Sequence, residues 1–261
     1  MSVRKRMPSY RLWGSMDDGN VEFESLTSET LDGALRVIRE SFFKNESVCK
    51  GVDIIEEPGA MKELEELCLD AAKDGVSAVA IYVPTGQVIS VAFNKIQTRP
   101  LNSEKSSFEL FSQKCKYKSS KALVDFMIDV DSEINLFQHY NVDCILEIMF
   151  LATLPDYSKR RIGELVVAAS LEIGRELKRG KNVKTPVCIN NDDTITNKPL
   201  VPSLSSAIMT SNFSKKIALK LGFETLAEVS YDRFEFRGKK FSERIGEADK
   251  SCALVAKRLK N

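Results

Sequence analysis

Between Cys144 and Gly180 the chain runs, without a break, through an apolar run, a proline, a basic turn and an amphipathic helix. The run Ile145-Leu-Glu-Ile-Met-Phe-Leu-Ala-Thr-Leu154 is too short for a membrane span and has the composition of a buried strand. Pro155 ends it, because proline cannot donate to a sheet ladder. After the turn Asp156-Tyr-Ser-Lys-Arg-Arg-Ile-Gly163, the residues Leu165, Val166, Ala169, Ile173 and Leu177 recur on one face of a helix. Lys178, Arg179 and Gly180 close that helix with the cations and glycine that its C-terminus favours.

Strand, basic turn, helix is a physical device for holding an anion. The first turn of a helix carries N–H groups without intrahelical partners, and its dipole adds partial positive charge there. Lys159, Arg160 and Arg161 add full charges, and Gly163 lets a phosphate-like group approach the backbone. Glu164 works against this, since its carboxylate suits the dipole and repels a phosphate. The competing reading is a plain α/β crossover with a solvated basic turn, and the stretch alone leaves both open.

Composition narrows the partners. Net charge is +1, from 38 basic and 37 acidic residues, so no general attraction to nucleic acid or anionic lipid is expected and any anion site must be local. With 43% hydrophobic residues in 261, a sizeable core can form, and 29% charged residues supply an ordinary surface. The six cysteines include no Cys-x-x-Cys pair and there is one histidine, His139 in a polar stretch, so zinc-site spacings are absent. Cys68 and Cys144 sit in apolar patterns and read as small core residues. Arg4, Lys5 and Arg6 are followed by no apolar segment of a secretory signal, which together with reduced thiols predicts a cytoplasmic protein.

In chain order, residues 1–20 read as an irregular arm stapled by Tyr10, Leu12 and Trp13. Residues 21–26 read as a strand, and Thr27 or Ser28 as the cap of a helix with stripe Leu31, Leu35, Ile38 and Phe42. Pro58 opens a second helix that Gly75 ends, and Pro84-Thr-Gly-Gln87 joins two apolar runs as a hairpin. Residues 98–119 read as loop, and Leu123 to Phe137 as one helix. Residues 181–205 form a long surface loop with three prolines. Ala207 to Thr210 is a short strand, and Ser211 caps a helix ended by Gly222. Glu224 to Phe236 reads as one or two strands and Cys252 to Ala256 as a last one. The whole is a mixed α/β domain over residues 21–261 behind the arm at 1–20.

The strand–basic turn–helix, then Thr210-Ser-Asn-Phe-Ser-Lys-Lys-Ile-Ala-Leu-Lys-Leu-Gly-Phe223 between strands, resembles the GNAT superfamily of acetyl-CoA-dependent N-acetyltransferases. Phe42-Phe-Lys-Asn-Glu46, Tyr10-Arg-Leu-Trp13, Asp74-Gly-Val-Ser77 and Tyr231 are similar to its insect arylalkylamine N-acetyltransferase-like group. The resemblance covers most of the chain. It implies a single domain whose central, mostly antiparallel sheet splays at the acetyl-CoA site and is flanked by helices.

It also implies site residues. Backbone around Met149, Phe150 and Leu151 would take the pantetheine arm. The turn Ser158-Lys159-Arg160-Arg161-Ile162-Gly163 would take the pyrophosphate. The family's turn reads Arg/Gln-x-x-Gly-x-Gly/Ala; here Gly163 matches its last position, while Ser158 replaces the first residue and Arg161 the middle glycine. Glu46 falls where the insect enzymes carry the glutamate base of an Asp-Glu-Pro motif, with Ser47 in place of the proline. The tyrosine acid of many members has no counterpart, since Phe213 and Ser214 stand in its region; Ser214 matches a serine of the insect group, and the late Tyr231 is the substitute phenol the resemblance offers.

The chemistry so implied is acetyl transfer to a small primary amine of arylalkylamine or polyamine type. The ammonium loses a proton to a general base, and the amine attacks the thioester directly, with strand N–H groups stabilising the oxyanion. Acetyl-CoA is the expected cosubstrate and the amine the expected partner; no metal, nucleic acid or membrane is expected. Two alternatives remain: a GNAT-fold protein that binds CoA without catalysis, and an acyltransferase for longer acyl-CoA.

Overall fold

Alternating burial and tight turns build a sheet first. The computed structural model describes residues 11–100, 105–185, 187 and 200–260. Strands β1 (Leu12–Met16) and β2 (Val21–Ser25) form a hairpin, so part of the stretch read as an irregular arm is an edge strand. Trp13 staples it by donating from Nε1 to Ser25 Oγ at 2.9 Å; Tyr10 lies outside the described residues. Helix α1 (Leu31–Val37) begins after Thr30 rather than Thr27 or Ser28, because Thr27 and Thr30 bond to each other across the preceding turn. It continues through a π-helical turn, Ile38–Phe42, into the short α2 (Phe43–Asn45). Then come α3 (Ser47–Gly51) and α4 (Pro58–Lys73), with Pro58 at the helix start as expected.

Strands β3 (Ala78–Tyr82) and β4 (Gln87–Thr98) are the predicted hairpin, with β4 running on past the end of its apolar run at Phe93. The stretch read as loop after it holds a helix, α5 (Ser107–Lys114), opened by a capping box of Ser106 and Glu109. The single helix expected up to Phe137 is two, α6 (Lys118–Asp131) and α7 (Leu136–Tyr140), the second capped by the Asn135 side chain. Strand β5 (Cys144–Thr153) and helix α8 (Ile162–Lys178) follow as predicted. Strand β6 (Leu204–Met209) starts three residues early and takes the end of the presumed loop 181–205; that loop's Asn190 to Asp193 lie outside the described residues. Helix α9 (Asn212–Lys220), β7 (Glu224–Ser230), the small hairpin β8 (Glu235–Phe236) and β9 (Lys239–Lys240), α10 (Phe241–Ile245) and β10 (Ser251–Arg258) complete the chain.

The main sheet runs β1-β2-β3-β4-β5-β6-β10-β7, antiparallel throughout except for the parallel pair β5–β6. Neighbouring residues on β5 point to opposite faces. Leu146 lies under α8, where a Cβ on Gly174 would meet it at 3.0 Å, while Glu147 lies on the other face, close enough to Asp131 of α6 to act on its charge. Helices therefore cover both faces of β5.

Five of the cysteines, at 49, 68, 115, 144 and 252, are free, with Cys68 and Cys144 in the core as expected; Cys188 lies outside the described residues. His139 is exposed on α7. Among the described residues no helix is long and apolar enough to cross a membrane.

Candidate active site

Strand β5 parts from β6 halfway along. The parallel pairing runs from Ile145↔Leu204 to Ile148↔Ala207 and stops, while the pairing of β5 with β4 continues to Ser90↔Thr153. A bulge makes the turn: Met149 is the extra residue between Phe93↔Phe150 and Asn94↔Ile148. Such an insertion bends the strand and re-aims the residues after it. Beyond it Leu151 and Thr153, like Met149 itself, are half-buried in alternation with buried Phe150 and Ala152. Strand carbonyls near the split find side-chain donors: Ser41 Oγ donates to Thr153 O and Ser90 Oγ to Ala152 O, both at 2.7 Å.

The split opens into a cavity of about 580 Å³ between β5, β6, α6 and the starts of α3 and α9. That volume suits a small organic ligand. Met149, Phe150, Leu151 and Ser158 line it, together with Glu46 and Ser214. Its aromatic wall comes from Phe42, Phe126 and Phe150, with Phe42 edge-on to Phe150 at 5.3 Å. The π-helical turn that ends at Phe42 shifts the helix register there, and Phe213, 70% exposed, also lines the cavity.

Glu46 is more than a loose helix-end carboxylate. It caps α3, accepting from the Val48 N–H at 2.9 Å and the Cys49 N–H at 2.6 Å, one on each oxygen. Each oxygen keeps a further lone pair with which to accept a proton. A second carboxylate in the lining, Asp249, was invisible in the sequence. It accepts from Ser47 Oγ at 2.9 Å and from the Asn212 N–H at 2.7 Å, tying the start of α3 to the start of α9 across the mouth. No local pattern marks it within Gly246-Glu-Ala-Asp-Lys250, which reads as an ordinary polar turn.

Ser214 is held in the capping box of α9, donating to Ser211 O at 3.0 Å and accepting from the Ser211 N–H at 3.1 Å. Tyr231 lies behind the cavity wall and does not line it. Its side chain is fully buried and its hydroxyl donates to Thr210 O. Burial first, and then the Glu46 charge, push the phenol's pKa far up.

The basic turn follows the C-terminal end of β5, just beyond the split, and its two arginines already have partners. Lys159 and Arg161 take left-handed backbone conformations (φ 60° and 64°), which side chains adopt at a cost and glycine does not. Arg160 pairs with Asp17 of the β1–β2 turn and lies over the Tyr157 ring, in a separate hollow with Glu40 and Tyr82. Arg161 binds Glu164 at 2.7 Å, and Lys220 of α9 binds the same carboxylate at 2.8 Å. The hydrogen bond from Arg161, joined by that from Lys220, outweighs desolvation and lowers the Glu164 pKa to about 2. Ile162 is buried at the first turn of α8. A Cβ on Gly163 would meet Thr153 Oγ1 at 3.3 Å, so the turn lies close against the end of β5.

Comparison with solved structures identifies the architecture. Arylalkylamine N-acetyltransferase 2 from Aedes aegypti superposes with TM-score 0.71 at 23% identity, over 92% of this chain and 100% of that one. A mosquito arylalkylamine N-acetyltransferase-like 5b and the polyamine N-acetyltransferase of Drosophila melanogaster each superpose with TM-score 0.67 at 13% identity, over the same shares. The chain has the GNAT acetyltransferase fold. No protein-family model matches the sequence, and no curated protein matches it. Pro155 and Ser158, at the start of the turn before α8, line the cavity at the β5–β6 split, so the split and the turn adjoin.

Proposed function

We propose that the protein is an acetyl-CoA-dependent N-acetyltransferase for small primary amines, with arylalkylamines as the preferred class and polyamines next. The observation that carries this reading is the cavity at the β5–β6 split, which joins an unpaired strand edge, an aromatic wall and an anchored carboxylate, Glu46.

Acetyl-CoA supplies an activated acetyl group when bound. The residues fit its pantetheine end well, because the unpaired edge of β5 from Met149 to Thr153 offers amide groups to an amide-bearing arm. At the diphosphate end the start of α8 offers donors, and Lys159, Arg160 and Arg161 offer charge that is partly engaged by Asp17 and Glu164. N–H groups of the β5 edge would polarise the thioester carbonyl.

Glu46 takes the proton that the ammonium must lose, since amines of this class titrate near 10. Its two N–H donors hold it in one orientation and leave lone pairs to accept that proton. Phe42, Phe126 and Phe150 hold an arylalkyl group by apolar and edge contacts, and Asp249 adds negative charge for the ammonium. Tyr231 acts as a positioning residue that fixes Thr210 at the end of β6, and Ser214 shapes the start of α9. The reading places the protein in the cytoplasm, where acetyl-CoA is at hand and thiols stay reduced.

A second reading, a GNAT-fold protein that binds acyl-CoA without turning over, draws on one observation: no phenol lines the cavity among the described residues. Release of free CoA thiol from acetyl-CoA, followed across a panel of arylalkylamines and polyamines, tests the first reading against the second. Amine-dependent release supports the enzyme; acetyl-CoA binding with no release across the panel supports the silent binder. Release from long-chain acyl-CoA in preference to acetyl-CoA would redirect the donor assignment.

A further inference from the structure

The start of α8 holds an anion that belongs to the chain itself. Glu164 sits in the first turn of the helix with its side chain 10% exposed. Arg161 reaches it with two nitrogens at 2.7 and 3.3 Å, and Lys220 with its ammonium at 2.8 Å. Both cations are themselves open to solvent, with side chains 63% and 54% exposed. A carboxylate placed here draws on the same helix-end field and the same donors that an incoming diphosphate would use. Two anions cannot use one set of charges in full.

We propose that Glu164 is an intramolecular competitor for the diphosphate of acyl-CoA donors, so that it lowers their affinity and sets how far the site favours donors with a diphosphate over donors without one. The inference rests on the acyl-donor site proposed above. The geometry gives it a definite sign. A residue that merely shapes the turn would weaken the ligand when lost; a competitor strengthens it. Replacing the carboxylate by its amide keeps the size and a weak acceptor for Arg161 and Lys220, and removes the charge that repels the ligand.

The test is titration calorimetry of acetyl-CoA and of acetyl-pantetheine, which lacks the diphosphate, with wild-type protein, Glu164→Gln and Glu164→Ala. Thermal melts show that each variant is folded. Glu164→Gln is expected to tighten acetyl-CoA about five- to tenfold at low salt, with the gain shrinking above roughly 0.3 M as screening grows. Acetyl-pantetheine affinity should not change, and inorganic pyrophosphate titrated alone should bind Glu164→Gln more tightly than wild type. Acetyl-CoA affinity that is unchanged or weaker in both variants, while the wild type binds both donors, overturns the competitor and leaves the acyl-donor site standing. Failure of the wild type to bind either donor removes the site and this inference with it.

Discussion

The strand split and the turn that follows it are made of different material. At the split of β5 from β6 the site is backbone: an unpaired strand edge, a bulge at Met149 and serine hydroxyls that satisfy the nearby carbonyls. At the turn before α8 it is side-chain charge, and the charges of Arg160 and Arg161 are already engaged within the chain. A backbone site needs little rearrangement before a ligand enters. A site of paired charges must first exchange partners, so its net contribution is smaller than its count of cations suggests.

The largest effect that sharpens this contrast is at the backbone end. Glu46→Ala should lower kcat by about 10²–10⁴-fold, as removal of a general base does. It should also cost about 1 kcal/mol of stability through the lost helix cap. Acetyl-CoA affinity should hold, because the side chain acts on the amine; steady-state kinetics beside calorimetry read both. Wild-type kcat in this variant would move the base elsewhere in the cavity.

Tyr231→Phe comes next. The Thr210 carbonyl loses its buried donor, which predicts a loss of about 1–3 kcal/mol in denaturant unfolding with the pH profile of kcat unchanged. A lost alkaline limb would instead make Tyr231 a proton donor. At the turn, Lys159→Gly should gain about 1 kcal/mol by relieving a left-handed side-chain residue, while acetyl-CoA affinity falls little. Arg161→Gly should gain less, because it also releases Glu164. A large loss of affinity in either variant would give the turn's charges a weight that the contrast denies them.

The smallest effects have opposite signs in the paired half of β5 and at the turn. Glu147, on β5, has its pKa raised by burial, so its contribution to folding is full below the ordinary carboxylate value near 4.5 and declines as pH rises through the raised value. Glu164 has its pKa lowered to about 2, so its contribution is full above about 4.5 and is lost as pH falls toward 2. Melting curves from about pH 2 to 8 should show Glu147→Gln flattening the alkaline decline and Glu164→Gln flattening the acid one.

The same contrast governs what the sequence could reveal. The strand, turn and helix at 144–180 were legible because apolar spacing, Pro155 and Gly180 are local signals, and the split at Met149 followed from the family resemblance they supported. The partners of the charges were not legible. Arg160 meets Asp17 from 143 residues away and Glu164 meets Lys220 from 56, and no period in the chain links them. Asp249 was missed for the same reason. Helix α5 was missed because its capping box lies in a Ser- and Lys-rich stretch whose apolar stripe is thin. The resemblance singled out Glu46 and Ser214, and both line the cavity, yet their capping bonds depend on where α3 and α9 begin, which the pattern alone left open.

Hydrogen exchange along β5 tests the central claim most directly. The amides from Met149 to Thr153 that face away from β4 have no β6 partner and should exchange quickly in the free protein. Both acetyl-CoA and acetyl-pantetheine are predicted to protect those amides, with little change along the paired half of β5 from Cys144 to Ile148. Protection confined to the turn at 158–164, or none on β5 under saturating acetyl-CoA, would contradict the assignment of the split strand as the acyl-donor site.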